Sequence, residues 1–113
     1  MKKIIAILTV AVLALSFAGC GKKESKVLVI GISQYGEHAS LDNCREGFLE
    51  GLKEAGLEEN KDYKIDYQNA SFDNSTATQI AQNFSSKNVA LMCAIATPSA
   101  TACFAAAEDK DIP

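Results

Sequence analysis

The apolar positions of this chain follow two rhythms. Residues 26–32 (KVLVIGI) and 89–96 (VALMCAIA) are short, nearly continuous apolar runs, the pattern of strands buried on both faces. Residues 62–69 (DYKIDYQN) alternate instead, which predicts a strand with one face less deeply buried, near a sheet edge. Between the runs, Leu41, Cys44, Phe48, Leu52 and Ala55 recur at helical spacing, and so do Ala77, Ile80, Ala81 and Phe84 over residues 76–86. Ser40 is the predicted N-cap of the first helix, with Asp42 in its first turn and Gly56 as the left-handed residue past its end. Asn88 is placed to end the second helix. The third apolar run stops at Thr97-Pro98, where Thr97 suits an N-cap and Pro98 the first turn of a helix. Small, helix-compatible residues then fill 99–107.

The order is β-α-β-α-β-α at about thirty residues per unit, which predicts a Rossmann-like α/β fold with a parallel sheet and right-handed crossovers. Ile112 and Pro113 stand where a fourth strand is expected. A sheet of three strands leaves its outer strand unpaired, so residues 26–113 read as the N-terminal part of a larger domain. Parallel strands bring all three following loops to one edge, where open α/β sheets bind ligands. At the third loop, free N–H groups and the helix dipole around Thr97, Pro98, Ser99 and Ala100 favour an anion. A plain helix start is the alternative there.

The N-terminus changes the domain picture. Met1-Lys2-Lys3 is a positive n-region, residues 4–17 are apolar, and Ala18-Gly19-Cys20 closes with small residues and a cysteine. Residues 1–19 therefore read as a secretory signal peptide rather than as fold. The apolar stretch falls short of the roughly 20 residues of a spanning helix. The small-small-Cys ending resembles the lipobox of bacterial lipoproteins, in which the cysteine, here Cys20, is lipidated and becomes the mature N-terminus. Phe17 stands where that pattern usually has Leu. Residues 20–25 then form the lipidated start and a short polar tether.

The leader carries two lysines and no acidic residue, so its removal takes the formal charge from −3 to −5. An acidic surface argues against nucleic acid as a partner. Cys44, Cys93 and Cys103 are an odd set without CxxC spacing and read as small residues on apolar faces. A Cys93–Cys103 bridge requires the third strand and its helix to approach closely. His38 is the only histidine. With no HExxH, no second His at helical spacing and no nucleophile motif beside it, no metal, cofactor or catalytic group is expected. GISQYG is not GxGxxG, and no phosphate-binding GxxxxGK[ST] is present.

Three segments carry a resemblance. Residues 27–57 (VLVIGISQYGEHASLDNCREGFLEGLKEAGL), 64–84 (KIDYQNASFDNSTATQIAQNF) and 89–113 (VALMCAIATPSATACFAAAEDKDIP) together resemble the substrate-binding lipoproteins of bacterial ABC importers, in the tryptophan/tyrosine-binding, ABC-type uncharacterised subgroup. The resemblance implies a type I periplasmic-binding-protein fold with two lobes, of which residues 26–113 match the opening half of the first. It implies capture of an amino acid, aromatic in preference. It also implies permease and ATPase subunits as partners, and a lipid anchor on the outer face of the cell membrane or in the periplasm. Carried over by position, Gln34, Tyr35, Glu37 and His38 would line the cleft. So would Gln68, Asn69, Thr97, Pro98, Ser99 and Ala100. Of the aromatic residues, Tyr35 in its polar loop is the expected ligand contact, and Tyr67 and Phe72 are expected to pack. A truncated lipoprotein that binds nothing, or a cell-envelope enzyme using Glu37 and His38, are the alternatives.

Overall fold

The structure, a computed structural model, describes residues 26–113. The predicted leader, Cys20 and the tether lie outside the described residues. The elements are β1 (Leu28–Gln34), α1 (Ala39–Glu54), β2 (Tyr63–Asn69), α2 (Asn74–Lys87), β3 (Leu91–Ile95) and α3 (Thr97–Ala107). The strands form one parallel sheet in the order β2-β1-β3, with Ile32 opposite Tyr67 on one side and Cys93 on the other.

That order requires the chain to step away from β1 in both directions. Right-handed crossovers then place helices on opposite faces. On one face, Leu41, Phe48, Leu49 and Leu52 of α1 pack against Ile30, Ile32, Tyr63 and Ile95. On the other, Ala77, Ile80 and Phe84 of α2 form a cluster with Ala70 and Val89, joined by Met92 and Ala102. β1 serves both faces by alternation. Gly31 lies under the Phe84 ring of α2, while Gln34 bonds to α1.

Several boundaries move from their expected places. β1 runs two residues beyond the apolar run, so Ser33 and Gln34 are fully buried strand residues rather than loop. Pairing with β2 and β3 on both sides holds their backbone in the ladder. α1 begins at Ala39, and its N-cap is His38, whose Nδ1 accepts from the Ser40 amide at 3.3 Å. Ser40 is therefore inside the helix. α2 begins at Asn74 under an Asp73 cap, with Asp73 Oδ1 accepting from the Thr76 amide at 2.6 Å. α3 begins at Thr97; Ala96 holds the cap position and no side chain caps it, while Pro98 lies in the first turn as expected. Gly56 and Asn88 take left-handed backbone, with φ of 84° and 51°.

Cys44 is exposed, against the expectation of a small buried residue. It lies at the flank of the α1 stripe, and Leu49 joins the packed face in its place. Cys93 packs on the α1 side of the sheet, whereas Cys103 is buried on α3, which covers the other side, so the sheet separates them and all three cysteines are free. Most of β3 is only half-buried. At its outer edge, the Met92 amide donates to the Pro113 carbonyl at 2.8 Å, which sets the chain after α3 beside β3. Among the described residues no helix is long and apolar enough to cross a membrane.

Candidate ligand-binding edge

Backbone hydrogen bonds tie the carboxyl ends of the three strands together. Tyr35 N–H donates to Ile95 O at 3.2 Å, Ala70 N–H to Gln34 O at 2.9 Å, and Phe72 N–H to Tyr35 O at 2.7 Å. Tyr35 is a half-buried brace across this edge. Its hydroxyl lies 3.0 Å from Phe72 O and 2.9 Å from Asn74 Oδ1, and its ring meets the Phe72 ring edge to face at 5.7 Å.

Below the edge on the α1 side lies a polar network. Gln34 is 0% exposed. Its Nε2 donates to Gly36 O and to Asp42 Oδ1, both at 2.8 Å, and its Oε1 accepts from Arg45 Nη1 at 2.7 Å. Gln34 thus positions the loop from inside and has no atom free for a ligand. Arg45 Nη1 also reaches Asp42 Oδ1 and Tyr67 Oη at 3.1 Å, and the guanidinium sits 4.8 Å from the Tyr67 ring centre. Hydrogen bonding from Gln34, joined by the charge of Arg45, holds the Asp42 carboxyl below the usual carboxylate range. Asn69 donates to Tyr67 Oη at 3.2 Å and accepts from Ser71 N–H at 2.8 Å. Glu37, Arg45, Glu46 and Tyr67 line a depression of about 350 Å³ over this network.

Gln68 faces the opposite side. Strand alternation pairs it with Asp66, which it bonds at 2.9 Å, and Asp66 in turn accepts from Lys87 at 2.7 Å. Gln68 and Asn69 therefore point to different faces of the sheet. Glu37 and His38 are exposed at the edge, and His38 Nδ1 is engaged by Ser40. No group of three His, Cys, Asp or Glu residues that could hold a metal exists among the described residues.

The third loop is the sharpest. Ala96 has φ 81° and ψ 152°, backbone that normally requires glycine. From there the chain turns directly into α3. The Ala100 amide is bonded to Ala96 O at 3.0 Å, so it is not the free donor expected. Pro98 has no N–H, which leaves the amides of Thr97 and Ser99 as first-turn donors without an intrahelical acceptor. The Ser99 hydroxyl is sealed inside and unpartnered, as is that of Ser33. Ser99 is fully buried as a whole residue, so it offers this edge neither side chain nor amide, and the amide of exposed Thr97 is the accessible first-turn donor. A groove of about 540 Å³ opens between α2 and α3 from Asn74, Thr97 and Pro98.

Arg45, Asp42, Tyr67 and Asn74 were not singled out as site residues from the sequence. The i, i+3 spacing of Asp42 and Arg45 just inside a helix start was the available signal. The partner that gives the pair its role, Gln34, is reached only through the fold.

The family model for ABC transporter substrate-binding proteins matches residues 29–113. The chain belongs to this family, whose members are binding proteins and not enzymes. It is 38% identical over 126 residues to a tyrosine-binding protein of Clostridioides difficile, covering 99% of this chain and 36% of that protein. Among solved structures it is similar to the ligand-free, open structure of a substrate-binding protein with adhesive properties from Clostridium difficile. That likeness has 45% identity and a TM-score of 0.72, covering 77% of this chain and 29% of the other. It is also similar to a Streptococcus pneumoniae ABC domain in complex with L-Trp, with 32% identity and a TM-score of 0.70, covering 78% of this chain and 29% of the other. The alternating helices and three-stranded parallel sheet match the folds of these substrate-binding proteins. The chain spans about a third of the length of the curated relative it matches.

Proposed function

We propose that this chain forms the first part of a solute-binding lipoprotein of an ABC importer that captures an amino acid, with aromatic side chains preferred. The observation that carries the proposal is the meeting of three tied strand ends with the exposed first-turn amide of Thr97 at the start of α3. A backbone donor at the positive end of a helix suits a carboxylate. Tyr35, Glu37, His38, Asn69, Thr97 and Pro98 border the same edge, and Glu37 is a carboxylate suited to the ligand's ammonium group. Gln34, Gln68 and Ala100 act behind them as support. The relatives named for tyrosine and seen with L-Trp supply the ligand class.

In this reading residues 1–19 export the protein and Cys20 carries the lipid that anchors it outside the membrane. Permease and ATPase subunits are its partners, and no cofactor is involved. A thermal-shift titration of the full-length protein with L-tyrosine, L-tryptophan and L-phenylalanine tests the ligand class. Mass action gives about 2.7 kcal/mol of stabilisation at a hundredfold excess over Kd. No shift with any of the three overturns it.

A further inference from the structure

The apolar residue that contributes least to the core at this edge is Phe72. It is 55% exposed, and it belongs to neither buried cluster. Ser71 and Phe72 have φ of 51° and 63°, so both central residues of the turn closed by Asp73 N–H to Ala70 O at 2.9 Å are left-handed. Such a turn suits glycine or asparagine. A phenylalanine held there costs about 1–3 kcal/mol of strain, and the fold receives little apolar burial in exchange.

The surroundings hold the ring in one place. Its edge-to-face partner is Tyr35, with the planes at 90°. Gly36 passes directly beneath it, where any Cβ would collide with the ring. The Phe72 amide and carbonyl are both fixed to Tyr35. The result is an exposed, oriented aromatic surface bridging the first and second loops of the ligand edge. Strain of this kind gathers at ligand clamps. The expectation from sequence was that Phe72 packs, and its exposure departs from that.

We infer that Phe72 is the stacking platform for the ring of an aromatic amino acid, and that Tyr35 and Gly36 exist at this edge to aim it. This rests on the proposed amino-acid site. The test is calorimetry on the full-length protein and its Phe72→Ala, Phe72→Leu and Phe72→Tyr variants, titrated with L-tyrosine and L-tryptophan. Leu keeps an apolar cover over Gly36 but has no ring; Tyr keeps the ring. Losing an aromatic pair weakens binding by about fivefold to tenfold. That loss is expected for Ala and Leu, with Tyr within twofold of wild type and all melting temperatures compared. If Leu binds both ligands within twofold of wild type, Phe72 is only packing and the platform is overturned, while the amino-acid site stands. If the wild-type protein binds neither, the site itself fails and takes the platform with it. Should Phe72→Ala not fold, the contrast between Leu and Tyr decides.

Discussion

Phe84 lies so close over Gly31 that a Cβ on Gly31 would stand 2.7 Å from Phe84 Cδ2. Phe84 is completely buried, so its ring cannot swing outward. The central strand is therefore pressed directly onto α2, and the glycine is there for close approach, not for backbone freedom. Gly31→Ala should destabilise the fold by about 1–3 kcal/mol through overpacking, read from the urea midpoint of the full-length protein. In a Phe84→Leu background the same substitution should cost less, because the two sites share one contact. Equal costs in both backgrounds would contradict the contact.

Arg45 should matter more for the edge than its place on a surface helix suggests. Arg45→Met leaves Gln34 Oε1 buried without its 2.7 Å donor. An orphaned buried acceptor costs about 1–3 kcal/mol. Arg45→Lys should recover only part of this, since an ammonium has no planar guanidinium to lie against the Tyr67 ring, 4.8 Å from its centre, while Nη1 bonds Gln34, Asp42 and Tyr67. Chemical denaturation measures the stability. A Lys variant as stable as wild type would remove the guanidinium plane from the account.

Ala96 stores strain at the third loop. Ala96→Gly relieves a backbone that costs an alanine about 1–3 kcal/mol, against an entropic penalty of about 0.5–1 kcal/mol for glycine. The expected order of stability by urea midpoint is Gly above Ala above Val. Val at or above Ala would show that φ 81° is no burden here.

Acid should loosen the chain through three carboxylates. The Lys87 ammonium and Gln68 hold Asp66 below the usual carboxylate range, the Thr76 amide and hydroxyl do so for Asp73, and Gln34 and Arg45 do so for Asp42. A depressed pKa in the fold gives stability that is present above the unfolded value and lost as pH falls through the folded one. The melting temperature should therefore hold above about pH 5 and fall below about pH 4. Asp73→Asn keeps a capping side chain but cannot titrate, so its melting curve should depend less on pH in that acid window. An unchanged acid slope would remove Asp73 from the cause.

The sequence carried the element order. Apolar runs and helical stripes need only neighbours along the chain, and the two faces of a parallel sheet impose that pattern on any strand within it. Gly56 and Asn88 were legible for the same local reason, since left-handed backbone selects its residues directly. The three loops of the candidate site were legible as a group, because parallel topology alone sends them to one edge.

The tertiary structure decided which residues at that edge are free. Gln34, Ser99 and Ala100 looked available, yet one is consumed by Asp42 and Arg45, one turns its hydroxyl inward, and one bonds Ala96. It also decided that His38 caps α1 and that the sheet keeps Cys93 from Cys103. Phe72 is exposed where packing was expected, for a reason no local pattern contains: the space beneath its ring is set by Gly36, which is far from it along the chain. Hydrophobic pattern is periodic and local, whereas a hydrogen-bond partner or a contact surface is fixed by whichever distant segment the packed strands bring within about 3–4 Å.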